Sequence, residues 1–430
     1  MSMPENSAPA EREQVWISLP RPLWIGIAAV VLLAGSLALR FGLPVYRQQV
    51  AIREIERMGG SVEREKVVPP WLRPRLGERW VAMFDDVFLV DLDHRHRLDD
   101  AGLSQLRHFS KLRELSLDGS GIADAQLARL RALAGLRMLG LANTQITDAG
   151  LPHLGGLCNL ESLMLSGTAV TDAGLSHLGD LRSVKHLKLN RTQVTGSGFP
   201  HLRGLANLTT LSLDDSRVTG VGFEHLSKLA KLQCLELQST PVTDAGLSHI
   251  GELKNLKMLD LRSTSVTGAG LRHLSGLRQL VILELDETQV NGDGLAALSA
   301  MSKLESLSLR NPQVSDADIF YLGKCRELTV LYLAHTAITD TALAHIKGLP
   351  NLRSLELSHT QVGDAGLFHL KGLSRLACLD LDDTRVTDVG LKHLEGLTAL
   401  NRLSIQRAGV TKTGVASLKR ALPNLTVYSD

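Results

Sequence analysis

Apolar residues recur along this chain in blocks of 24 residues. Residues 147–170 read TDAGLPHLGGLCNLESLMLSGTAV, and residues 171–194 repeat the pattern as TDAGLSHLGDLRSVKHLKLNRTQV. The position of Leu151 is apolar in fourteen successive blocks, from Leu103 to Val415, with no insertion between them. A fixed period of this length predicts a solenoid, in which each unit buries its apolar face only against neighbouring units.

The first element of each unit is predicted to be a short strand. Leu163 and Leu165 alternate with the residues beside them, which is the pattern of a strand with one buried face. Stacked units place these strands side by side in a parallel sheet, about 4.8 Å apart. A small hydroxyl residue follows the strand in most units, as at Thr168, and we expect it to hydrogen-bond the backbone of the turn.

The second element is predicted to be a short helix. Thr147 suits the N-cap of a helix, and Asp148 suits its first turn, where the helix dipole favours an anion. Leu151, Leu154 and Leu157 then fall on one face of the helix, which we expect to be buried. Each unit is therefore predicted to be one strand followed by one short helix.

The repeated form TDAGLxHLxGLxxLxxLxLxxTxV resembles leucine-rich repeats of the ribonuclease-inhibitor-like kind, with Thr in place of the commoner Asn after the strand. It is also similar to the repeats of membrane-anchored proteins of planctomycete bacteria. The resemblance implies an α/β leucine-rich-repeat solenoid, or horseshoe, of about 14 units over residues 89–430. Its parallel sheet would lie on the concave side and its helices on the convex side. For function, the resemblance implies only binding, usually of another protein.

One strongly apolar segment precedes the repeats. Residues 1–22 are polar and contain proline, so we expect a disordered tail. The run from Leu23 to Leu39 is uncharged. As a helix it would span about 26 Å, slightly less than a hydrocarbon core of about 30 Å. If Arg40 snorkels, the run extends to a transmembrane anchor over residues 23–43. This predicts a single-pass membrane protein and leaves open which side of the membrane carries the repeats.

Two alternatives remain for the apolar segment. One is a cleavable signal peptide, because Ser36-Leu37-Ala38 provides a small-residue cleavage site. The other is a buried core helix, although nothing nearby in the sequence would enclose it.

Residues 44–60 and 61–88 connect the apolar segment to the repeats. Apolar residues stand among charges before Gly59-Gly60, so residues 44–60 are predicted to form a juxtamembrane helix with a glycine C-cap. Residues 61–88 do not fit the repeat and are predicted to form an N-terminal cap, because an uncovered solenoid end would expose its core. The residues predicted to cover that end are Trp71, Leu72, Trp80, Met83 and Phe84.

The sequence carries no catalytic signature. The motifs GxxxxGK[ST], HExxH, GxSxG and a strand-anchored GxGxxG are all absent. Ser, His and Asp recur with the repeat and do not form one unique constellation. A net charge of +2 gives no indication of nucleic-acid binding. We therefore predict a protein that is not an enzyme, has no cofactor and has no evident small-molecule substrate.

Cysteines and histidines also follow the repeat. Cys234 and Cys378 occupy the same strand position six units apart, about 29 Å at strand spacing, which is too far for a disulfide. The helix histidines form one column, which we interpret as packing on the helix flank rather than a transition-metal site. These histidines are His153, His177, His201, His225, His249, His273, His345, His369 and His393. A second cluster, interpreted as a solvated loop rather than a metal site, contains Asp91, Asp93, His94 and His96.

Residues that point outward from the strands are the positions that the repeat leaves free. On the predicted concave face, thirteen acidic residues stand against six basic ones, a net charge of −7 in a chain of net charge +2. Glu236, Asp260 and Glu284 fall on three successive strands and are expected to face solvent beside apolar residues. Acidic residues beside an apolar strip favour a recognition surface for a basic, partly apolar protein segment. The predicted protein-binding residues are Glu236, Met258, Asp260, Arg262, Ile282, Glu284, Asp286, Arg310, Val330, Tyr332, Glu356 and Asp380.

The predicted function is that of a non-catalytic, membrane-tethered module that binds a basic protein segment on its concave face. One alternative is a structural envelope or surface spacer without a defined ligand, whose concave charges are simply solvated. A lone divalent cation on the row from Glu236 to Glu284 is a minor alternative for that surface. An F-box-like substrate adaptor is less favoured, because no F-box-like segment precedes the repeats. The identity of the ligand and the oligomeric state are not predicted.

Overall fold

A computed structural model describes residues 21–71, 73–77, 81–93 and 100–429, so the tail predicted for residues 1–22 lies almost entirely outside the described residues. Within the described residues, sixteen strands form a single sheet whose spatial order follows the chain. The strands are β1 Ser61–Glu65, β2 Asp86–Asp91, β3 Glu114–Ser116, β4 Met138–Gly140, β5 Ser162–Met164, β6 His186–Lys188, β7 Thr210–Ser212, β8 Cys234–Glu236, β9 Met258–Asp260, β10 Ile282–Glu284, β11 Ser306–Ser308, β12 Val330–Tyr332, β13 Ser354–Glu356, β14 Cys378–Asp380, β15 Arg402–Ser404 and β16 Thr426–Tyr428. β1 is antiparallel to β2, and each later pair of neighbours is parallel.

The chain returns from each strand to the next through a short helical segment. The α-helices are α1 Arg21–Leu37, α2 Leu43–Arg57, α3 Arg73–Leu76, α4 Asp100–Gln105, α5 Asp124–Leu127, α6 Asp244–Ile250, α7 Gly268–Leu271, α8 Asp316–Ile319, α9 Asp340–Ile346, α10 Asp364–Leu367, α11 Asp388–Leu391 and α12 Lys412–Ala421. Tighter 3₁₀ segments extend or replace them at Leu106–His108, Ala128–Ala132, Leu151–Leu154, Gly174–His177, Phe199–Gly204, Phe223–Lys228, Arg272–Gly276, Gly292–Ala300, Phe320–Lys324, Phe368–Gly372 and Lys392–Leu394. The predicted α-helix is therefore often a 3₁₀ turn, because a 24-residue unit leaves room for only one or two turns.

Neighbouring parallel strands are in register at a separation of 24 residues. Leu235, Leu259 and Leu283 are direct partners across β8, β9 and β10. All three side chains are fully buried and belong to one continuous apolar core. The predicted period, the parallel sheet and the inward orientation of the leucines are thus confirmed.

The hydroxyl residue after each strand closes the turn. Thr168 Oγ1 donates a hydrogen bond of 2.6 Å to the carbonyl of Leu165, and the same bond recurs in nine other units. The preceding residue has a positive φ, as at His335 (59°), and its N–H donates to the next unit, here to the Ser358 carbonyl at 3.0 Å. The predicted hydrogen bond from the hydroxyl to the turn backbone is confirmed in these ten units, and the backbone N–H of the preceding residue continues the inter-unit hydrogen bonds past the end of the strand.

A second set of hydrogen bonds joins successive units at the start of their helical segments. Asp148 Oδ1 accepts a hydrogen bond of 2.8 Å from the Thr171 backbone, and its Oδ2 accepts one of 2.6 Å from Thr171 Oγ1. A Cβ on Gly174 would overlap the Asp148 carboxylate, which explains the recurrent glycine. The same pair of bonds joins Asp124 to Thr147, Asp244 to Thr267, Asp316 to Thr339, Asp364 to Thr387 and Asp388 to Thr411.

The first unit is covered by α2 and β1. Ala51, Ile52 and Ile55 of α2 are buried in the common core, and β1 extends the sheet beyond β2. Of the residues predicted to cover this end, Trp71 is 68% exposed and Phe84 is 50% exposed, whereas Met83 is half-buried. Leu72 and Trp80 lie outside the described residues. The helix predicted for residues 44–60 therefore supplies the covering side chains, because its apolar residues face the first unit rather than solvent.

The apolar N-terminal segment is not one membrane-length helix. α1 contains 17 residues, and a π-helical turn over Ala38–Gly42 separates it from α2. In the described part of the chain, no helix is both long enough and apolar enough to cross a membrane. The span predicted over residues 23–43 is therefore corrected to a shorter α-helix that ends at Leu37. Large side chains of α1 are nevertheless exposed, including Ile25 (70%) and Leu32 (73%).

Candidate functional site: the concave face of the sheet

The outward face of the sheet, called the concave face below, presents three rows of side chains. The first row contains the first residue of each strand, and the middle row contains the last residue of each strand. The outer row contains the residue two positions after the strand. Because neighbouring strands are in register, each row runs straight across the sheet from unit to unit.

The middle row carries three successive acidic residues. Glu236, Asp260 and Glu284 are direct partners across β8, β9 and β10, as the sequence predicted. Burial raises the pKa of Glu284, and the nearby Asp286 carboxylate raises it further. In the outer row, burial raises the pKa of Asp214 to about 6, with Glu236 and Asp260 contributing by repulsion. Repulsion from neighbouring carboxylates thus contributes to the raised pKa of Glu284 and of Asp214.

Asp260 does not face solvent, so that expectation is wrong. The residue is only 2% exposed, because the Arg262 side chain lies over it. The carboxylate of Asp260 accepts hydrogen bonds from the Arg262 backbone at 3.0 Å and from its guanidinium at 3.0 and 2.6 Å. This pair is internally neutral, and a partner would meet the guanidinium rather than the carboxylate.

The acidic and amide side chains of the outer row have a structural role. Asp286 Oδ1 accepts a hydrogen bond of 2.9 Å from the Arg310 backbone in the next unit, and Asp214 Oδ1 accepts one of 2.8 Å from Gln238. Asn190 accepts the equivalent bond from the Asp214 backbone at 3.1 Å. These N–H groups lie beyond the strand ladder and require another acceptor. Asp286, which the sequence predicted to contact a partner, is accordingly 7% exposed and holds two units together.

Arg310 lies across two units of the concave face. Its guanidinium donates to Glu356 at 2.5 and 3.2 Å and to Asp286 at 3.3 Å. The same group lies 4.7 Å from the centre of the Tyr332 ring. Four of the predicted binding residues, Asp286, Arg310, Tyr332 and Glu356, are thus brought into one cluster, in which the charge of Glu356 is neutralised.

Glu236 and Glu284 remain as carboxylates without a cation within 4 Å in the described part of the chain. Two half-buried apolar residues of the first row lie near them: Met258 on β9, between the strands of the two glutamates, and Ile282 on β10, the strand of Glu284. The Cys234 thiol is 3.7 Å from Glu236 Oε1, and burial raises its pKa to about 12, so it stays protonated. The residues with charge free for a partner are therefore fewer than the sequence predicted.

The concave face deepens into a cavity between β12 and β16. Its volume is about 430 Å³, and it is lined by Tyr332, Glu356 and Asp380, which the sequence selected. It is also lined by Ser404 and Tyr428, which the sequence did not select. Ser404 and Tyr428 occupy the same outward position of the repeat as Asp380, so the sequence pattern could have identified them. The predicted set of binding residues ended at Asp380 on β14.

Two histidines of the column on the helical side pack against a phenylalanine of the preceding unit. The His345 ring meets Phe320 edge-on at 5.4 Å, and the His393 ring meets Phe368 edge-on at 5.6 Å. His153 Nδ1 is buried and has no hydrogen-bond partner in the described structure. No three His, Cys, Asp or Glu residues among those described lie close enough together to hold a metal ion.

The described part of the loop cluster, Asp91 and Asp93, makes hydrogen bonds within the protein, and the cysteines form no disulfide. Asp93 Oδ1 accepts hydrogen bonds from Ser116 Oγ and, at 3.0 Å, from the Asp118 backbone, while His94 and His96 lie outside the described residues. All four cysteines are free thiols.

Comparison with known proteins identifies the repeat. The family model described as "Leucine rich repeat" matches residues 297–362. No curated protein matches the chain. Among solved structures, an internalin (inlF) of Listeria monocytogenes is 23% identical with a TM-score of 0.61, over 77% of this chain and 89% of that chain. The leucine-rich-repeat protein LIC12759 of Leptospira interrogans is 19% identical with a TM-score of 0.58, over 75% of this chain and 85% of that chain.

A third similar structure is described as a TDR receptor. It is 19% identical with a TM-score of 0.53, over 80% of this chain and 63% of that chain. At these identities the likeness concerns the fold. The predicted resemblance to leucine-rich repeats is confirmed, whereas the closer likeness to planctomycete proteins stays a prediction.

The raised pKa of Asp214 predicts a pH-dependent effect of Asp214→Asn. The amide still accepts the Gln238 N–H, as Asn190 does at the equivalent position, but carries no charge. An acid whose pKa is raised on folding favours the folded state at low pH, and this contribution is lost as the pH rises from about 4 through about 6. Because Asp214 is partly exposed, we expect a discounted gain for Asp214→Asn of about 1 kcal/mol at about pH 7.5, and none at about pH 4.

Denaturant unfolding at the two pH values measures this difference. Asp180→Asn is the control, since Asp180 is exposed and its side chain has no partner in the described structure. Equal stability of Asp214→Asn and the wild type at both pH values would show that the repulsion on this face is negligible.

Proposed function

Because this chain is built as a leucine-rich-repeat solenoid, we propose that it is a non-catalytic module that binds a basic segment of a partner protein on its concave face. The observation that supports the proposal is the uncompensated acidic patch formed by Asp214, Glu236 and Glu284, with Met258 and Ile282 beside it. This set is called the acidic patch below.

The charge of the acidic patch favours a cationic partner. Asp260 and Arg262 neutralise each other, so the patch retains three acidic side chains that no basic residue pairs with, and Asp214 becomes fully charged only well above its pKa of about 6. Exposed charges of one sign steer an oppositely charged partner and raise its association rate. The half-buried Met258 and Ile282 provide apolar area that slows dissociation.

Solved proteins of the same fold are consistent with a recognition role. One of them is described as a receptor. A surface spacer without a ligand has no need for like charges on adjacent strands, which repel one another.

We also propose that α1 attaches the module to a membrane. The exposed side chains of Ile25, Val30, Val31, Leu32 and Leu33 are 62 to 73% accessible. Transfer of each such side chain from water into hydrocarbon is favourable by roughly 1.5–3 kcal/mol. The 17 residues of α1 extend about 26 Å, so the helix can bury this apolar surface in lipid.

Membrane attachment is tested by fractionation. We expect the full chain to stay in the membrane pellet after a carbonate wash, and Val31→Glu combined with Leu32→Glu to release it, because charge in hydrocarbon is costly. A wild-type protein found in the soluble fraction with a mature N-terminus near Leu39 would instead identify a cleaved signal peptide.

Partner binding is tested by removing the two free carboxylates of the middle row. Glu236→Gln combined with Glu284→Gln keeps the shape of both side chains and leaves the buried leucines untouched. We expect the double variant to capture far less partner from a membrane extract of the source cell, mainly through slower association. The deficit should shrink as salt rises, because exposed charges are screened beyond about 10 Å at 0.1 M salt.

The matched control is Glu252→Gln combined with Glu327→Gln, which removes the same charge from exposed positions off the concave face. The control should behave as the wild type. If the double variant of the middle row captures the same proteins in the same amounts as the wild type, the acidic patch is not the recognition surface, and the spacer function becomes the better account.

A further inference from the structure

The floor of the cavity between β12 and β16 is formed by five consecutive side chains of the middle row. The middle row across these strands reads Tyr332, Glu356, Asp380, Ser404 and Tyr428, each the direct partner of the next. All five residues line the cavity. Two aromatic rings therefore stand at opposite ends of a floor that contains two carboxylates.

One end of this floor already holds a guanidinium. Arg310 donates to Glu356 at 2.5 and 3.2 Å and lies 4.7 Å from the centre of the Tyr332 ring. This arrangement combines a two-point arginine–carboxylate pair with a cation–π contact. The chain itself thus shows how the Tyr332 end of the cavity accommodates an arginine.

The other end offers a carboxylate and a tyrosine ring, on either side of Ser404, with no arginine paired to the carboxylate. Asp380 accepts a hydrogen bond from the Asp382 backbone at 3.0 Å, and no cation lies within 4 Å of it in the described part of the chain. The Tyr428 ring is 45% exposed. Between them, the small side chain of Ser404 leaves open space, and its hydroxyl already donates to Asp382 at 2.7 Å.

We propose that an arginine side chain of the partner enters this cavity and lies over Ser404, between Asp380 and Tyr428. This inference rests on the proposed function, since it specifies which basic residue the partner presents. Arginine fits better than lysine, because a planar guanidinium pairs with a carboxylate at two points and stacks on an aromatic ring. The cavity volume of about 430 Å³ is ample for one such side chain.

Arg402 is the competing occupant from within the chain. It lines the same cavity from the first row of β15, where its side chain is exposed. No ion pair joins it to Asp380 within 4 Å in the described structure. The Asp380 carboxylate is therefore not paired with Arg402 and is available to a guanidinium from a partner.

The test uses the full chain in a neutral detergent, labelled with 3-fluorotyrosine and titrated with N-acetyl-arginine amide. The four tyrosines give four fluorine signals. We expect a saturable shift of the Tyr428 signal, no shift with the uncharged N-acetyl-citrulline amide, and at least about threefold weaker binding of N-acetyl-lysine amide. Asp380→Asn should weaken arginine binding at least about fivefold.

Two further variants make the test specific. Glu284→Gln, four strands from Asp380 in the acidic patch, should leave arginine binding unchanged. If Asp380→Asn fails to fold, Tyr428→Leu replaces it, with the Tyr332 signal as the reporter and an expected loss of at least about threefold.

The proposal is overturned if arginine gives no saturable shift, if citrulline binds equally well, or if Asp380→Asn retains full binding. It is also overturned if binding appears only in Arg402→Gln, since Arg402 then fills the place itself. These results are independent of partner capture by the middle-row double variant. The arginine-binding proposal can therefore be rejected while partner binding by the acidic patch is supported, and the opposite combination of results can also be recognised.

Discussion

The structure depends on one constraint, which is the set of hydrogen bonds that joins each unit to the unit 24 residues further along the chain. The strand ladder contributes part of them, as Leu259 pairs with Leu283. The Asp148 carboxylate contributes another part by accepting two hydrogen bonds from Thr171. A unit buries its apolar face only against its neighbours, so these bonds decide whether the leucines meet in register. An insertion within a unit would break several bonds at once, which accounts for the unbroken period.

This constraint also decides what the concave face can do. Straight rows bring the outward residues of neighbouring units close together, so Glu236 and Glu284 of the middle row and Asp214 of the outer row form one acidic patch. The same geometry leaves N–H groups beyond each strand without ladder partners, and Asp214 and Asp286 accept hydrogen bonds from them. Acidic residues of the outer row thus serve the fold, and Asp214 among them also adds its charge to the acidic patch. Those of the middle row are free for recognition unless an arginine covers them.

The sequence predicted the fold because its signals are local and repeated. The alternation around Leu163 and Leu165 predicts which side chains point into the core and which point outward, and both leucines are buried in the structure. Alternation does not reveal whether a neighbouring long side chain covers an outward residue, which is why Asp260 beneath Arg262 was predicted to face solvent. The covering role of Ile52 and Ile55 was also missed, since the burial of a non-repeating helix depends on tertiary packing. The cavity beside Tyr428 depends on the sizes of residues in five successive units.

The central claim is that the outward carboxylates divide into those used by the fold and those free for a partner. Carboxyl labelling with a carbodiimide and glycine ethyl ester, read peptide by peptide in mass spectrometry, tests this division directly. The account predicts rapid labelling of Glu236 and Glu284, with Asp260 and Asp286 labelled several times more slowly in the same sample. Equal labelling rates at all four carboxylates would contradict it.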